Sequence, residues 1–245
     1  MNDFPKKYRR NIFSFFLFTY LFYYQFIFGQ ADNKNTQPEL IKLFNEWRNF
    51  ERPPFVDGVP DYSKSAFKNK EAPFQSLKSR LESMPKETWT NSEQVDWHIL
   101  WAEMNGYLFN DKILKPWERD PAFYKSIWTY KSDVPAHEGP THHAIIELWQ
   151  YKFPLDRSSQ KKLASSLGII PKLNQAAKIN LTGNAKDLWI AGIRDIQNQS
   201  KVLSELLSKP SVENNKALKK VINNAKKSTD EFVNWLKLKA PSKDG

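Results

Sequence analysis

Residues 185–207 read AKDLWIAGIRDIQNQSKVLSELL. Trp189, Ile193, Ile196, Leu203 and Leu207 recur along them at helical steps of three, four and seven. An α-helix turns once in about 3.6 residues, so these five side chains share one face and the polar residues between them fall elsewhere. That is the pattern of an amphipathic helix laid against a core.

The same period runs outward in both directions. Toward the carboxyl end, Val212 to Leu238 predicts another long helix with Leu218, Val221, Ile222, Ala225, Phe232 and Leu236 facing in. Lys216, Lys219, Lys220, Lys226 and Lys227 fall opposite, as a solvated face. Toward the amino end, Ile169–Leu181 and Ser158–Leu167 are short helices, the second closed by Gly168. Ala144, Ile145, Leu148 and Trp149 also fall at helical spacing. Thr90 and Glu93 form a capping box that opens a helix to about Asn110, marked by Val95, Ile99, Ala102, Tyr107 and Phe109. Phe74, Leu77, Leu81 and Met84 mark a helix stopped by Pro85. Thr36, Pro38 and Glu39 open one over residues 37–51, which Pro53-Pro54 ends. A loop with Asp57-Gly58 and Pro60-Asp61 follows it. No alternating Val/Ile/Thr-rich run of strand length competes with these.

The fold expected is therefore all-α: a multi-helix array or bundle after an N-terminal signal segment. It is interrupted by one long aromatic- and proline-rich connector. That connector, Ile113 to Pro140, holds four prolines with Trp117, Phe123, Tyr124, Trp128 and Tyr130 between them. Long irregular segments inside compact domains are often functional, and a buried aromatic connector is the competing reading.

The first 31 residues have a different character. Lys6, Lys7, Arg9 and Arg10 precede an apolar run from Ile12 to Phe28, followed by Gly29-Gln30-Ala31. A basic start, an apolar middle and small residues before Asp32 mark a secretory signal peptide, residues 1–31. The alternative is an uncleaved membrane anchor, since the run approaches the ~17–25 residues that span a bilayer. Both readings export a helical domain over residues 32–245, to the periplasm or cell envelope. In both, membrane contact comes only through the N-terminal segment. The chain has no cysteine, which excludes disulfides and a lipid-modified cysteine within these residues. The formal charge is +10, of which the first ten residues carry +3. Export makes nucleic acid a poor partner for the remaining basic balance, and solvated lysine faces account for it.

Candidate chemistry is sparse. Three of the four histidines cluster: His137, His142 and His143, beside Glu138. Imidazole and carboxylate are zinc ligands, but helical zinc motifs place two histidines four apart. Here the spacings from His137 are five and six, and Gly139-Pro140 breaks a helix. A loop gathering all three around a metal, or histidines lining a pocket, are the two readings. His98 sits mid-helix beside Asp96 and Trp97, where a structural histidine is the ordinary case. No nucleophile elbow or phosphate-binding glycine loop is present. Within the connector, Arg119 could fork a carboxylate while Trp117 or Tyr124 walls a pocket. Alternatively Arg119 pairs with Glu118, Asp120 or a helix end and holds the connector. The substrate-contact candidates are thus Trp117, Arg119, Asp120, Tyr124, His137 and Glu138.

Several segments together resemble a known family. They include Ser92-Glu93-Gln94-Val95-Asp96-Trp97, Ala102-Glu103-Met104-Asn105-Gly106, and Pro116-Trp117-Glu118-Arg119-Asp120-Pro121 with Phe123-Tyr124. Asp133-Val134-Pro135, Ile170-Pro171, Gln175-Ala176-Ala177-Lys178 and Asn180-Leu181 follow in order. Over about residues 38–245 the chain resembles the amino-terminal half of the domain of unknown function 885 family. The resemblance implies an exported, largely helical protein, distantly similar to helical zinc peptidases and about twice this length. The family's His-Glu-x-x-Pro-Gly-His motif lies in its carboxyl-terminal half. His137, Glu138 and His143 echo that spacing, but Thr141-His142 stands where Pro-Gly is expected, so metal ligation does not transfer to them. The resemblance thus implies the amino-terminal part of a zinc-dependent hydrolase. The metal, and a carboxyl-terminal half to complete a site for a peptide substrate, would come from elsewhere, leaving this part inactive alone. The other expectation is a non-enzymatic exported helical module that binds a ligand or an envelope partner.

Overall fold

The computed structural model describes residues 37–131 and 142–245. The segment read as a signal, and His137 and Glu138, lie outside the described residues. By contacts the chain divides into two units, Met1–Ile41 and Lys42–Gly245.

The second unit is built of helices, as expected. Helix α1 is Gln37–Phe50, α2 is Lys64–Glu82 and α3 is Asn91–Phe109. A wide π-turn over Asn110–Leu114 ends α3 at Lys115, which adopts a left-handed conformation (φ 44°). The one-turn helix α4, Pro116–Arg119, and a 3₁₀ turn, Pro121–Tyr124, follow. Then come α5 (Arg157–Leu167), α6 (Ile170–Asn180), α7 (Lys186–Leu206) and α8 (Lys216–Lys239). Helix α8 packs against α5, α6 and α7. Its inward stripe is the expected one, with Leu218, Ile222, Ala225, Phe232 and Leu236 buried.

Local sequence explains four of the helix starts. Thr90 and Glu93 make the complete capping box of α3. Asp156, Ser63 and Asn215 cap α5, α2 and α8 through their side chains. Helix α2 begins ten residues before Phe74 and runs through Pro73. Pro73 and Asn69, whose carbonyl the ring leaves without a helical donor, are both exposed, so water can take that bond.

Some expectations are corrected. Ala144–Trp149 is not helical: Ile146–Glu147 pairs in parallel with Ile127–Trp128, and a 3₁₀ turn covers Leu148–Gln150. Four apolar residues at the right spacing cannot nucleate a helix alone, and pairing with Ile127 buries Ile146 instead. A hairpin of β1 (Phe55–Val56) and β2 (Val59–Pro60) turns at Asp57-Gly58, both with positive φ. The two parallel strands are β3 (Ile127–Trp128) and β4 (Ile146–Glu147). The final helix starts at Lys216, with Val212 buried in the turn before it.

Helix α3 is apolar on two opposite faces. Trp97, Leu100 and Met104 are buried, and the Trp97 indole donates to the Leu81 carbonyl at 2.8 Å. The stripe that marks the helix in sequence faces solvent: Val95, Ile99 and Phe109 are each more than half exposed, and Ala102 and Gly106 lie exposed between them.

The connector is a keystone. Gly192 of α7 meets it so closely that an added Cβ would stand 2.8 Å from the Ala122 nitrogen and the Pro121 Cβ. Gln199 of α7 accepts from the backbone N–H groups of Ser126 (2.6 Å) and Ile127 (3.0 Å). This pins the strand within the connector to the helix.

Candidate functional site

A cleft of about 650 Å³ opens where α1, α2 and α3 meet the connector and the segment after residue 141. Its walls follow from helical spacing. Trp47 and Arg48 come from the last turn of α1, Ala66, Phe67 and Lys70 from the first turns of α2, and Glu103, Gly106 and Tyr107 from α3. The floor is aromatic. Trp117 stacks on Phe67 with ring centroids 3.9 Å apart, and Phe123 meets Tyr62 edge-on at 4.8 Å.

Polar groups are fixed around that floor. The Trp47 indole donates to Glu103 at 3.0 Å, and Arg48 reaches both Glu51 (3.0 Å) and Glu103 (3.5 Å). Lys70 donates to the carbonyls of Glu51 (3.2 Å) and Arg52 (3.0 Å), just past the end of α1. Its ammonium also lies 4.6 Å from the Phe50 ring centroid and 5.4 Å from that of Tyr107. Burial brings the Lys70 pKa down to about 8, against the opposing pull of Glu51 and Asp111. Burial raises the Tyr62 and Tyr107 phenols above their ordinary range, so both stay protonated.

The two described histidines are held differently. His142 is buried, its Nε2 donating to the Lys125 carbonyl at 3.0 Å and its Nδ1 accepting from Ala144 at 3.0 Å. Both ring nitrogens are occupied, and desolvation brings its pKa down to about 4. His143 donates its backbone N–H to the Tyr62 oxygen at 2.9 Å, and its Nδ1 lies 3.0 Å from the same oxygen. With the phenol donating to Nδ1, the imidazole N–H falls on Nε2. Desolvation, then the positive charges of Lys70, Arg52 and Arg48, hold the His143 pKa below its ordinary value.

The structure brings Trp117, His142 and His143 to this cleft. It places Tyr124, Asp120 and Arg119 in the frame, while His137 and Glu138 lie outside the described residues. The phenol of Tyr124 is fully buried and donates to the Trp117 carbonyl at 2.8 Å. Asp120 caps the 3₁₀ turn through Ala122 at 2.8 Å, and its carboxyl is pushed up by burial. Arg119 lies against Gly183, where an added Cβ would stand 2.7 Å from the Arg119 Cγ. Among the described residues no group of three His, Asp or Glu side chains is placed to hold a metal ion. Sequence reading misses Trp47, Arg48, Tyr62, Lys70 and Tyr107 as cleft residues. Lys70 follows Phe67 at helical spacing, a signal that requires seeing α2 begin before Phe74.

No family model and no curated protein matches the chain. A solved structure is similar in fold: that of a candidate lipoprotein of unknown function from Shewanella oneidensis, with TM-score 0.51 and 15% identity. The similarity covers 84% of this chain and 36% of that one, so the chain spans about a third of the length of its structural neighbour.

Proposed function

We propose that the chain is an exported helical binding module whose aromatic cleft takes an organic ligand. The cleft carries this reading: about 650 Å³ over an aromatic floor, with charged and hydrogen-bonding groups fixed at its rim. The basic-apolar-small order of residues 1–31 supports export, and the candidate-lipoprotein description of the structural neighbour agrees with an envelope location. With no cysteine in these 245 residues, lipid attachment through cysteine is not part of the reading.

A screen of small organic acids, alcohols, amines and sugars by thermal shift tests it. Gly106 lines the cleft, and a Cβ added there meets nothing within 4 Å beyond its own helix. Gly106→Trp should therefore obstruct the cleft without disturbing the fold, and abolish the shift given by any ligand found. A shift that survives in that variant overturns the cleft as the site.

The outward apolar stripe of α3 favours a second reading, the amino-terminal part of a larger, zinc-peptidase-like hydrolase of the domain of unknown function 885 type. Exposed apolar faces of this kind are covered in larger assemblies. In this reading zinc and its ligands lie outside the described residues. Genomic sequence continuing in frame into a His-Glu-x-x-Pro-Gly-His segment, with chelator-sensitive peptide hydrolysis by the longer protein, would support it. Hydrolysis by the 245-residue chain would contradict it.

A further inference from the structure

We infer that the cleft selects an organic carboxylate, its apolar body over Phe67 and Tyr107 and its anionic end toward Lys70, His143 and Arg52. This rests on the reading of the cleft as a ligand site and names the chemistry it would prefer.

The polar groups of the cleft divide into those already satisfied and those with capacity to spare. Three carboxylates line the cleft, and each holds a donor. Glu51 holds Arg48, Glu103 holds Trp47 and Arg48, and Asp61 accepts the Ser63 backbone N–H at 2.8 Å. Three donors in and beside the cleft keep capacity. Lys70 has three N–H bonds and gives two of them to carbonyls. His143 keeps its Nε2–H, because Nδ1 is turned to Tyr62. Arg52 has no ion pair among the described residues. It lines the adjoining depression, which shares Pro54, Asp61, Ala66 and Lys70 with the cleft. Lys70, Arg52 and Arg48 all act on His143 with positive charge. A ligand that accepts hydrogen bonds and carries negative charge completes this set.

The apolar half of the ligand is set by which rings stay accessible. Phe67 and Tyr107 are only partly buried, while Trp47, Trp117 and Phe123 behind them are closed in. A body the size of a phenyl ring on a short chain fits between that wall and the donors.

Three probes with one carbon skeleton separate charge from shape: 3-phenylpropionate, 3-phenylpropan-1-ol and 3-phenylpropylamine. Each is titrated into the full-length protein at neutral pH and low salt, followed by calorimetry and by tryptophan fluorescence. The carboxylate should bind at least tenfold more tightly than the alcohol, and the amine most weakly. In Arg52→Gln/His143→Gln the ratio of carboxylate to alcohol affinity should fall toward one. Alcohol or amine binding as tight as the carboxylate overturns the selectivity and leaves the cleft as a ligand site. A preference that persists in the double variant overturns the assigned residues. Failure of all three to bind the unaltered protein overturns the selectivity and the cleft together.

Discussion

Tyr62 and His143, 81 positions apart, are joined twice through one phenol oxygen, at 2.9 Å to the backbone nitrogen and 3.0 Å to Nδ1. The bond ties the residue before the cap of α2 to the segment that closes the cleft, and it sets the tautomer of the imidazole.

Tyr62→Phe keeps the ring that packs against Phe123 and removes both bonds. The expected loss is about 1–3 kcal/mol, since a net hydrogen bond is worth about 1 kcal/mol and a donor is left behind. Urea melts measure the loss, and amide exchange at His143 should speed up more than at α8. Equal protection at His143 in both proteins would contradict the role given to the phenol.

His142 gives the fold an acid limit. Its pKa is about 4 in the native state because burial disfavours the charged ring, against an ordinary 6.5. The unfolded chain therefore takes up the proton first, and stability is whole above about pH 6.5 and falls as pH drops toward 4. The full effect is of the order of 3 kcal/mol, at about 1.4 kcal/mol per unit of pKa. His143, lowered in the same direction, adds to the slope. Denaturation at a series of pH values should show the decline, and His142→Asn should be flatter over that range.

Two glycines should respond to alanine with opposite sign. At Gly192 the new Cβ lands 2.8 Å from the Ala122 nitrogen and the Pro121 Cβ, so Gly192→Ala should cost about 1–3 kcal/mol. At Gly106 nothing lies within 4 Å, and Gly106→Ala should gain roughly 0.5–1 kcal/mol from helix propensity alone. Thermal melts of the two variants would decide it.

Gln199→Met keeps the volume of the side chain and leaves the Ser126 and Ile127 amides buried without an acceptor. At about 1–3 kcal/mol for each unsatisfied group, this should be among the most damaging single changes in α7. Loss of Ile127–Ile146 pairing, seen as faster exchange at Ile146, is the local signature.

The helices are legible in the sequence because their apolar stripes repeat over three turns or more. Thr90 and Glu93 specify the start of α3 through local bonds, so sequence alone finds it. The misreadings have physical causes. The helix marked by Phe74, Leu77 and Leu81 begins ten residues before Phe74, and it runs through Pro73 because that residue sits on the wet side of α2. Ala144–Trp149 keeps helical spacing for too few residues to outweigh pairing with Ile127. The cleft is the least legible feature. Its residues come from α1, α2, α3 and the loop at His142–His143, brought together by packing that no local spacing records. Arg119 and Tyr124 stand out in the sequence as connector residues, and their place in the fold is to build the connector.

Helix α3 is greasy on both sides, so burial of apolar surface does little to choose which side turns inward. A half-roll about its axis would trade one such face for another at small loss. Directional contacts discriminate between the two orientations: the Trp47 indole on Glu103 and the Trp97 indole seated on the Leu81 carbonyl. These indoles work as index pins, aligning the helix so that Tyr107 and Glu103 arrive beside Lys70 and Arg48.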